Sequence, residues 1–304
     1  MRTFVILALF GLAAQLVDGG LGMAYGLTSS TLLLAFGLAP AVASASVHLA
    51  EVGTTLASGV SHWRLGNTDW RVVRWLALPG ALGAFSGAVL LSNINGEAAK
   101  PFIAGFLSLL GIYIVVRFAI LGGSIKVNPG TIPGVFLLPL GMVAGFLDAV
   151  GGGGWGPIST PTLLASGRME PRKVVGTVST SEFLVALSAS IGFLIALDRS
   201  LLALPVVAAL LTGGLIAAPI AAYVVKSMHP RILGSAVGGL ILLTNGRSLL
   251  AVAGVEGMAQ AAVLAVVTTL WLAAFAWAIK GVRAARPAVV AHVEGAPVLA
   301  GAAD

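Results

Sequence analysis

A succession of apolar segments constrains this chain before any other feature does. They fall at 4–17, 27–39, 40–61, 72–92 and 101–120, then at 133–148, 156–166, 171–195, 201–224 and 230–249, with a last one at 258–280. A helix needs about 20 apolar residues to cross a hydrocarbon core of about 30 Å, and several of these runs reach that length. Only 9% of the residues are charged, where a soluble domain carries about a quarter. The reading is an all-α polytopic membrane protein. Forty glycines fit it, because small residues let helices approach closely where lipid gives no hydrophobic drive to association. Cysteine is absent, which excludes disulfides, thiolate metal sites and a thiol nucleophile. The net charge of +6 comes from Lys and Arg spread over loops, so it speaks of membrane orientation, and nucleic acid is excluded as a partner.

The start, Met1-Arg2-Thr3-Phe4, runs into the first apolar stretch without an Ala-x-Ala cleavage site and reads as a membrane segment. Two segments in each half are too short to span: 4–17 and 27–39, then 133–148 and 156–166. Glycine-rich breaks, Asp18 to Gly26 and Asp148 to Pro157, separate the members of each pair. Irregular backbone at membrane depth is tolerated only where protein or a polar cavity covers it, so the pairs read as broken helices or re-entrant hairpins.

The breaks expose an internal repeat. Asp18, Gly22, Tyr25, Gly26 and Ser29 align with Asp148, Gly152, Trp155, Gly156 and Ser159 at an offset of 130. One insertion later, Ser46 to Glu51 aligns with Thr177 to Glu182, and further on Pro101 and Arg117 match Pro230 and Arg247. The expected organisation is a first membrane repeat over 1–125, a second over 126–250, an extra transmembrane helix over 251–280 and a disordered cytoplasmic tail over 281–304. Threading the loops alternately puts 13 of the 17 basic residues on one face, leaving Arg2, Lys100, Arg199 and Arg247 on the other. The first face is then cytoplasmic, with the N-terminus outside, the C-terminus inside and a multi-pass protein in the cell (inner) membrane. The halves start on opposite sides, which is an inverted-topology repeat of helical bundles.

Ionisable residues far from any loop are few: Asp18, His48, Glu51, Asp148 and Glu182. Both glutamates stand eleven residues into a helix opened by Pro40 or Pro171, roughly 17 Å deep at a rise of about 1.5 Å per residue. Charge there is costly and marks proton, ion or substrate pathways, so these five residues are the candidates for proton coupling. The competing reading is a pair of interhelical hydrogen-bonders. His48 and Glu51 share a helix face, but two ligands do not make a metal site, and none is assigned. Ser29, Ser30, Ser159, Thr160, Thr177 and Thr180 are hydroxyl donors near the breaks. With Gly20, Gly22, Gly152 and Gly154, which leave backbone approachable, they make up the candidate substrate site. Half-helices beginning after Gly26 and Gly156 would turn N–H groups toward an anion. Gly151 to Gly154 follows no strand and lacks a Lys-Ser/Thr ending, so it is no nucleotide loop. No nucleophile–base pair can be assembled, so the chain is not read as an enzyme, and no cofactor is implied.

The two stretches DGGLGMAYGLTSSTLLLAFGLAPAVASASVHLAEV and LDAVGGGGWGPISTPTLLASGRMEPRKVVGTVSTSEF carry a resemblance to the TauE/SafE sulfite exporter family. It covers about residues 4–250, and the second copy with GGGGWGP is the closer match. The first departs from it, with Leu27 where the second has Pro157. The resemblance implies a secondary transporter of a small anion, exporting sulfite or an organosulfonate across the inner membrane. The alternatives are a gated anion channel, or a transporter of another small organic anion or a metal ion. The expected partners are the lipid bilayer and the small anionic substrate, and a homo-oligomer is compatible with this reading.

Overall fold

Proline and glycine set most of the element ends. The structure, a computed structural model, describes residues 1–21, 23–122, 130–224 and 230–294, and every regular element among them is helical. The first half holds α1 (Arg2–Leu21), α2 (Tyr25–Ala35), α3 (Pro40–Arg64), α4 (Trp70–Asn93) and α5 (Gly96–Val115), the last ending in a π-helical turn, Val116–Ile120. The second half holds α6 (Gly134–Gly151), α7 (Trp155–Ala165), α8 (Pro171–Ala196), α9 (Leu204–Val224) and α10 (Pro230–Val252), followed by α11 (Gly257–Glu294). Pro40 and Pro171 each open a helix at the position where a missing N–H costs nothing. Gly37 and Gly167, 130 apart, take positive φ of 98° and 63° at the exits of α2 and α7, a conformation that favours glycine. At those exits Gly37 N–H donates to Leu34 O and Gly167 N–H to Leu164 O, again 130 apart.

Six described helices are long and apolar enough to cross a membrane: α4, α5, α6, α8, α10 and α11. The chain is an all-α polytopic membrane protein. The more polar α3, which carries His48 and Glu51, is not among the six.

Each short pair closes as a hairpin. Phe10 of α1 meets Phe36 at the end of α2 with ring centroids 5.9 Å apart. On the second pair, Gly130 N–H donates to Arg168 O and Arg168 Nη1 donates to Thr131 O, tying the exit of α7 to the entry of α6. The second pair therefore returns toward its own entry, while α2, half as long as α1, ends beside the middle of α1. The first members of both pairs are longer than expected, 20 and 18 residues, and only α2 and α7, with 11 each, are half-helices.

Helices α5 and α10 run antiparallel, with Gly111 against Ile241 at one level and Phe118 against Gly234 at another. Helices α3 and α8 meet where Ser58 bonds Ser179 at 2.8 Å, and Thr68, beyond the end of α3, reaches Thr180 at 3.0 Å. The halves also interlock: α4 packs on α6 and α8, and α9 packs on α1 and α3. Glycines make this possible. A Cβ at Gly87 would stand 2.6 Å from Phe146 O, so α4 and α6 meet backbone to backbone. The extra helix α11 leans on α10, where Trp271 Nε1 donates to Ser235 O at 2.7 Å. Residues 281–294, expected as tail, continue α11, and 295–304 lie outside the described residues.

Candidate functional site

The tips of the two hairpins meet in the middle of the molecule. A Cβ added at Gly26 would stand 2.9 Å from Gly153 Cα, and one at Gly156 would stand 2.7 Å from Met23 Cα. Each tip is held by its own aspartate, in the same way in both halves. Asp18 Oδ1 accepts from Ala24 N at 2.9 Å and Tyr25 N at 3.3 Å. Asp148 Oδ1 accepts from Gly154 N at 2.6 Å and Trp155 N at 2.9 Å. Four N–H groups at the starts of α2 and α7 are thus already paired, and both half-helices begin one residue before Gly26 and Gly156. These caps take up the N–H groups of Ala24, Tyr25, Gly154 and Trp155, ahead of the turns that begin after Gly26 and Gly156. A carboxylate at a helix N-terminus satisfies the donors and the helix dipole that an anion would otherwise use.

The aromatic residues following the breaks anchor each tip to the same place on opposite halves. Tyr25 Oη donates to Leu210 O of α9 at 3.3 Å. Trp155, fully buried, lays its ring on Gly80 of α4 and donates from Nε1 to Val178 O at 3.1 Å. Gly80 and Leu210 are 130 apart. Trp63, Trp70 and Trp75 stay about half exposed, in keeping with anchors at helix ends.

Beyond these caps the two halves differ. His48 Nε2 pairs with Asp148 Oδ2 at 3.0 Å, with both side chains buried, and His48 Nδ1 lies 2.8 Å from Ser44 O. Ser44 Oγ donates to Ala149 O at 2.6 Å and Ser30 Oγ donates to Gly152 O. The second break is in this way tied to α2 and α3. The first break has Ser179 where this His would be.

The acids at that first break gather around a cavity of about 10 Å³, the room of one water molecule. Its wall includes Asp18, Glu51 and Glu182, together with Gln15, Tyr25, Ser58 and Ser179. Glu51 is 2% exposed, and a Cβ at Gly26 would stand 2.7 Å from Glu51 Oε1, so this carboxyl lies against the start of α2. Among the described residues no group of three or more His, Asp and Glu side chains has the geometry to hold a metal ion.

The hydroxyls fall into three groups. Ser29, Ser159, Thr160 and Thr28 are buried on α2 and α7, and Thr28 Oγ1, Ser159 Oγ and Thr160 Oγ1 have no hydrogen-bond partner among the described residues. Ser30 is spent on Gly152 O. Thr177 and Thr180 of α8 are engaged elsewhere: Thr177 Oγ1 accepts from Asp69 N at 2.9 Å, and Thr180 Oγ1 donates to Gly176 O at 2.6 Å and meets Thr68 Oγ1 at 3.0 Å. The loop entering α4 claims them. The glycines also serve protein contacts. Gly152 takes the left-handed turn after α6 at φ 68° with Ser30 and Ser44 beside it, and Gly154 lies against Asp148 backbone and Phe106. Gly20 closes α1, and Gly22 lies outside the described residues. Sequence reasoning missed Thr28, Gln15 and Ser44. A Ser one turn before His48 was the available signal for Ser44.

Two matching halves that meet at two broken helices are the construction of many membrane transporters. The comparisons agree. Residues 7–248 match the profile of the family described as Sulfite exporter TauE/SafE, and the chain belongs to that family. It is 50% identical over 284 residues to "Probable membrane transporter protein YtnM" of Bacillus subtilis (strain 168), spanning 90% of this chain and 92% of that one. A second relative from the same organism, "Probable membrane transporter protein YdhB", is 27% identical over 64% of this chain and 78% of its own. No solved structure matches the chain.

Proposed function

We propose that the protein is a proton-coupled secondary carrier of a small anion, sulfite or an organosulfonate, held where the two half-helices meet. One observation carries this reading: Thr28, Ser159 and Thr160 offer hydroxyls, buried and unpartnered, on α2 and α7 close to the touching tips. A buried hydroxyl without a partner costs about 1–3 kcal/mol, so several together point to a partner that comes and goes. With Ser29 they can donate to the oxygens of a sulfite or sulfonate. An anion there shares its surroundings with Asp18, Glu51 and Glu182. Two like charges 4 Å apart repel by about 4 kcal/mol at an effective dielectric of 20. Anion entry therefore favours protons on these carboxyls, and this links the two fluxes.

The His48–Asp148 pair has a different part, holding the second break in place. The small central cavity favours a carrier over a gated channel, because a carrier closes around its cargo. On this reading the protein sits in the inner membrane with the N-terminus outside and the C-terminus cytoplasmic, as the distribution of basic residues favours. Counterflow in proteoliposomes tests it. Vesicles loaded with unlabelled sulfite should transiently concentrate labelled sulfite from outside, and simple equilibration without overshoot would mark a channel.

A further inference from the structure

One face of α3 runs polar from the central acids to the end of the helix. Glu51, Thr55, Ser58 and His62 stand at i, i+4, i+7 and i+11, which stacks them on one side of a helix. The first three line the central cavity, together with Thr54 and with Ser179 and Glu182 of α8. Thr54 and Thr55 are spent, since both hydroxyls donate to Glu51 O, at 3.4 and 2.6 Å. Ser58 Oγ instead bonds Ser179 Oγ at 2.8 Å. In a pair of hydroxyls one donates and the other accepts, so the acceptor's own proton is left to turn to a third group.

His62 comes next, one turn beyond Ser58. Its Nδ1 is buried without a hydrogen-bond partner among the described residues, while the residue as a whole is half-buried. Two residues on, Arg64 is exposed at the end of α3, and an arginine at a helix end keeps its charge in water. His62 thus holds one ring nitrogen inside the protein at the level where solvent begins. It stands eleven residues from Glu51, roughly 17 Å along the helix at about 1.5 Å per residue. The equivalent face of α8 is closed. With Glu51 aligned on Glu182, Thr54, Thr55, Ser58 and His62 fall on Val185, Ala186, Ala189 and Phe193, and all four of these are fully buried. Close packing also shields the α3 face, for a Cβ at Gly59 would stand 3.3 Å from Thr180 Cα. A proton leaving the acids finds exchangeable groups along this face of α3 and hydrocarbon along that of α8.

We propose that this face of α3 is the proton path between the central acids and one side of the membrane, with His62 as its outer proton acceptor and donor. The proposal rests on the reading of the protein as a proton-coupled carrier. A carboxyl O–H of Glu51 or Glu182 releases its proton to the Ser58–Ser179 pair, directly or through one water in the cavity, which has room for it. The pair passes a hydroxyl proton to His62 Nδ1, and His62 gives up the proton on Nε2 to water. The acid is left as a carboxylate and the water outside has gained the proton. Serine and histidine are unchanged once the hydroxyls rotate and the imidazole exchanges tautomer.

Proteoliposomes of the full chain with a trapped pH dye test it, with sulfite as the probe. His62→Gln should slow the sulfite-driven proton signal by about tenfold or more, with sulfite counterflow within about twofold of wild type. Imidazole equilibrated across the vesicles should return the proton rate of the variant toward that of wild type in the same buffer, which a purely structural histidine would not allow. Ser58→Ala should slow the signal in the same way, and Ser58→Thr, which keeps the hydroxyl, should retain it. This second pair carries the test if His62→Gln does not fold. A full proton signal in both His62→Gln and Ser58→Ala would overturn the path and leave the coupling in place. A slow signal that imidazole does not change would remove His62 from the path. Wild-type protein that moves no protons with sulfite would overturn the coupling and the path together.

Discussion

Thr28, Ser159 and Thr160 differ from the other hydroxyls in this membrane protein, most of which donate back to a carbonyl of their own helix, as Ser46, Ser61 and Thr212 do. Removing a hydroxyl that has no partner leaves the fold nothing to lose. Ser159→Ala plus Thr160→Val should hold or raise the unfolding temperature, yet weaken sulfite binding by about 1–3 kcal/mol for each charge-assisted bond lost. A lower unfolding temperature with unchanged affinity would make these residues structural. The pair His48–Asp148 predicts the reverse. His48→Asn leaves a buried Asp148 without its partner and should cost about 3–5 kcal/mol of stability, whereas Ser179→Ala at the equivalent position should cost about 1 kcal/mol. Thermal unfolding of purified protein checks this, and equal shifts for the two would show that the halves are not differentiated as described. The sequence singled out Asp18, His48, Glu51, Asp148 and Glu182 but could not divide them. Which side of a break finds a His and which finds a second Glu is decided by the crossing of α3 over the tips, and that crossing leaves no mark in local sequence.

Helix against helix, the glycines decide how near the halves come. At Gly83, Gly87, Gly141 and Gly145 an added side chain would run into the facing backbone of α4 or α6, while Gly105 and Gly246 have nothing within 4 Å. Gly87→Val should therefore lower both the unfolding temperature and the yield of folded protein. Gly105→Ala and Gly246→Ala should be neutral or stabilising by up to about 1 kcal/mol, since Ala is the better helix former. Similar losses at all three positions would mean that helix propensity and not close approach governs these sites. The breaks and the short second members were legible because Asp, Gly and Trp or Tyr recur at fixed spacing. The length of α1 and α6 was not, because a helix runs on into glycines when a side chain, here Asp18 or Asp148, caps the next helix and pins the turn. The close packing of Gly152 on Ser30 and of Gly154 on Asp148 and Phe106 was not legible either, because it follows from how the tips meet.

For the whole molecule the repeat is legible in matched features of the two halves: the aspartate-capped breaks, the positive-φ Gly37 and Gly167, and helices α4 and α9 each packed on the other half. Reporter fusions after Arg74 and Arg172 should fall in one compartment, and fusions near Lys100, Arg199 and Glu256 in the other. Compartments shared between Arg172 and Arg199 would contradict the inverted arrangement. Docking of the second half onto the first was not legible, since glycine faces fit many partners, and so the central acid cavity emerged only from the structure. The central claim is that anion and proton move through that one place together. Its most direct test is proton flux in proteoliposomes on adding sulfite without an imposed pH gradient. Wild-type protein should carry protons with the anion, detected by a trapped pH dye. Glu51→Gln and Glu182→Gln should each keep sulfite exchange while losing the proton signal. Proton movement undiminished in both variants would contradict the account.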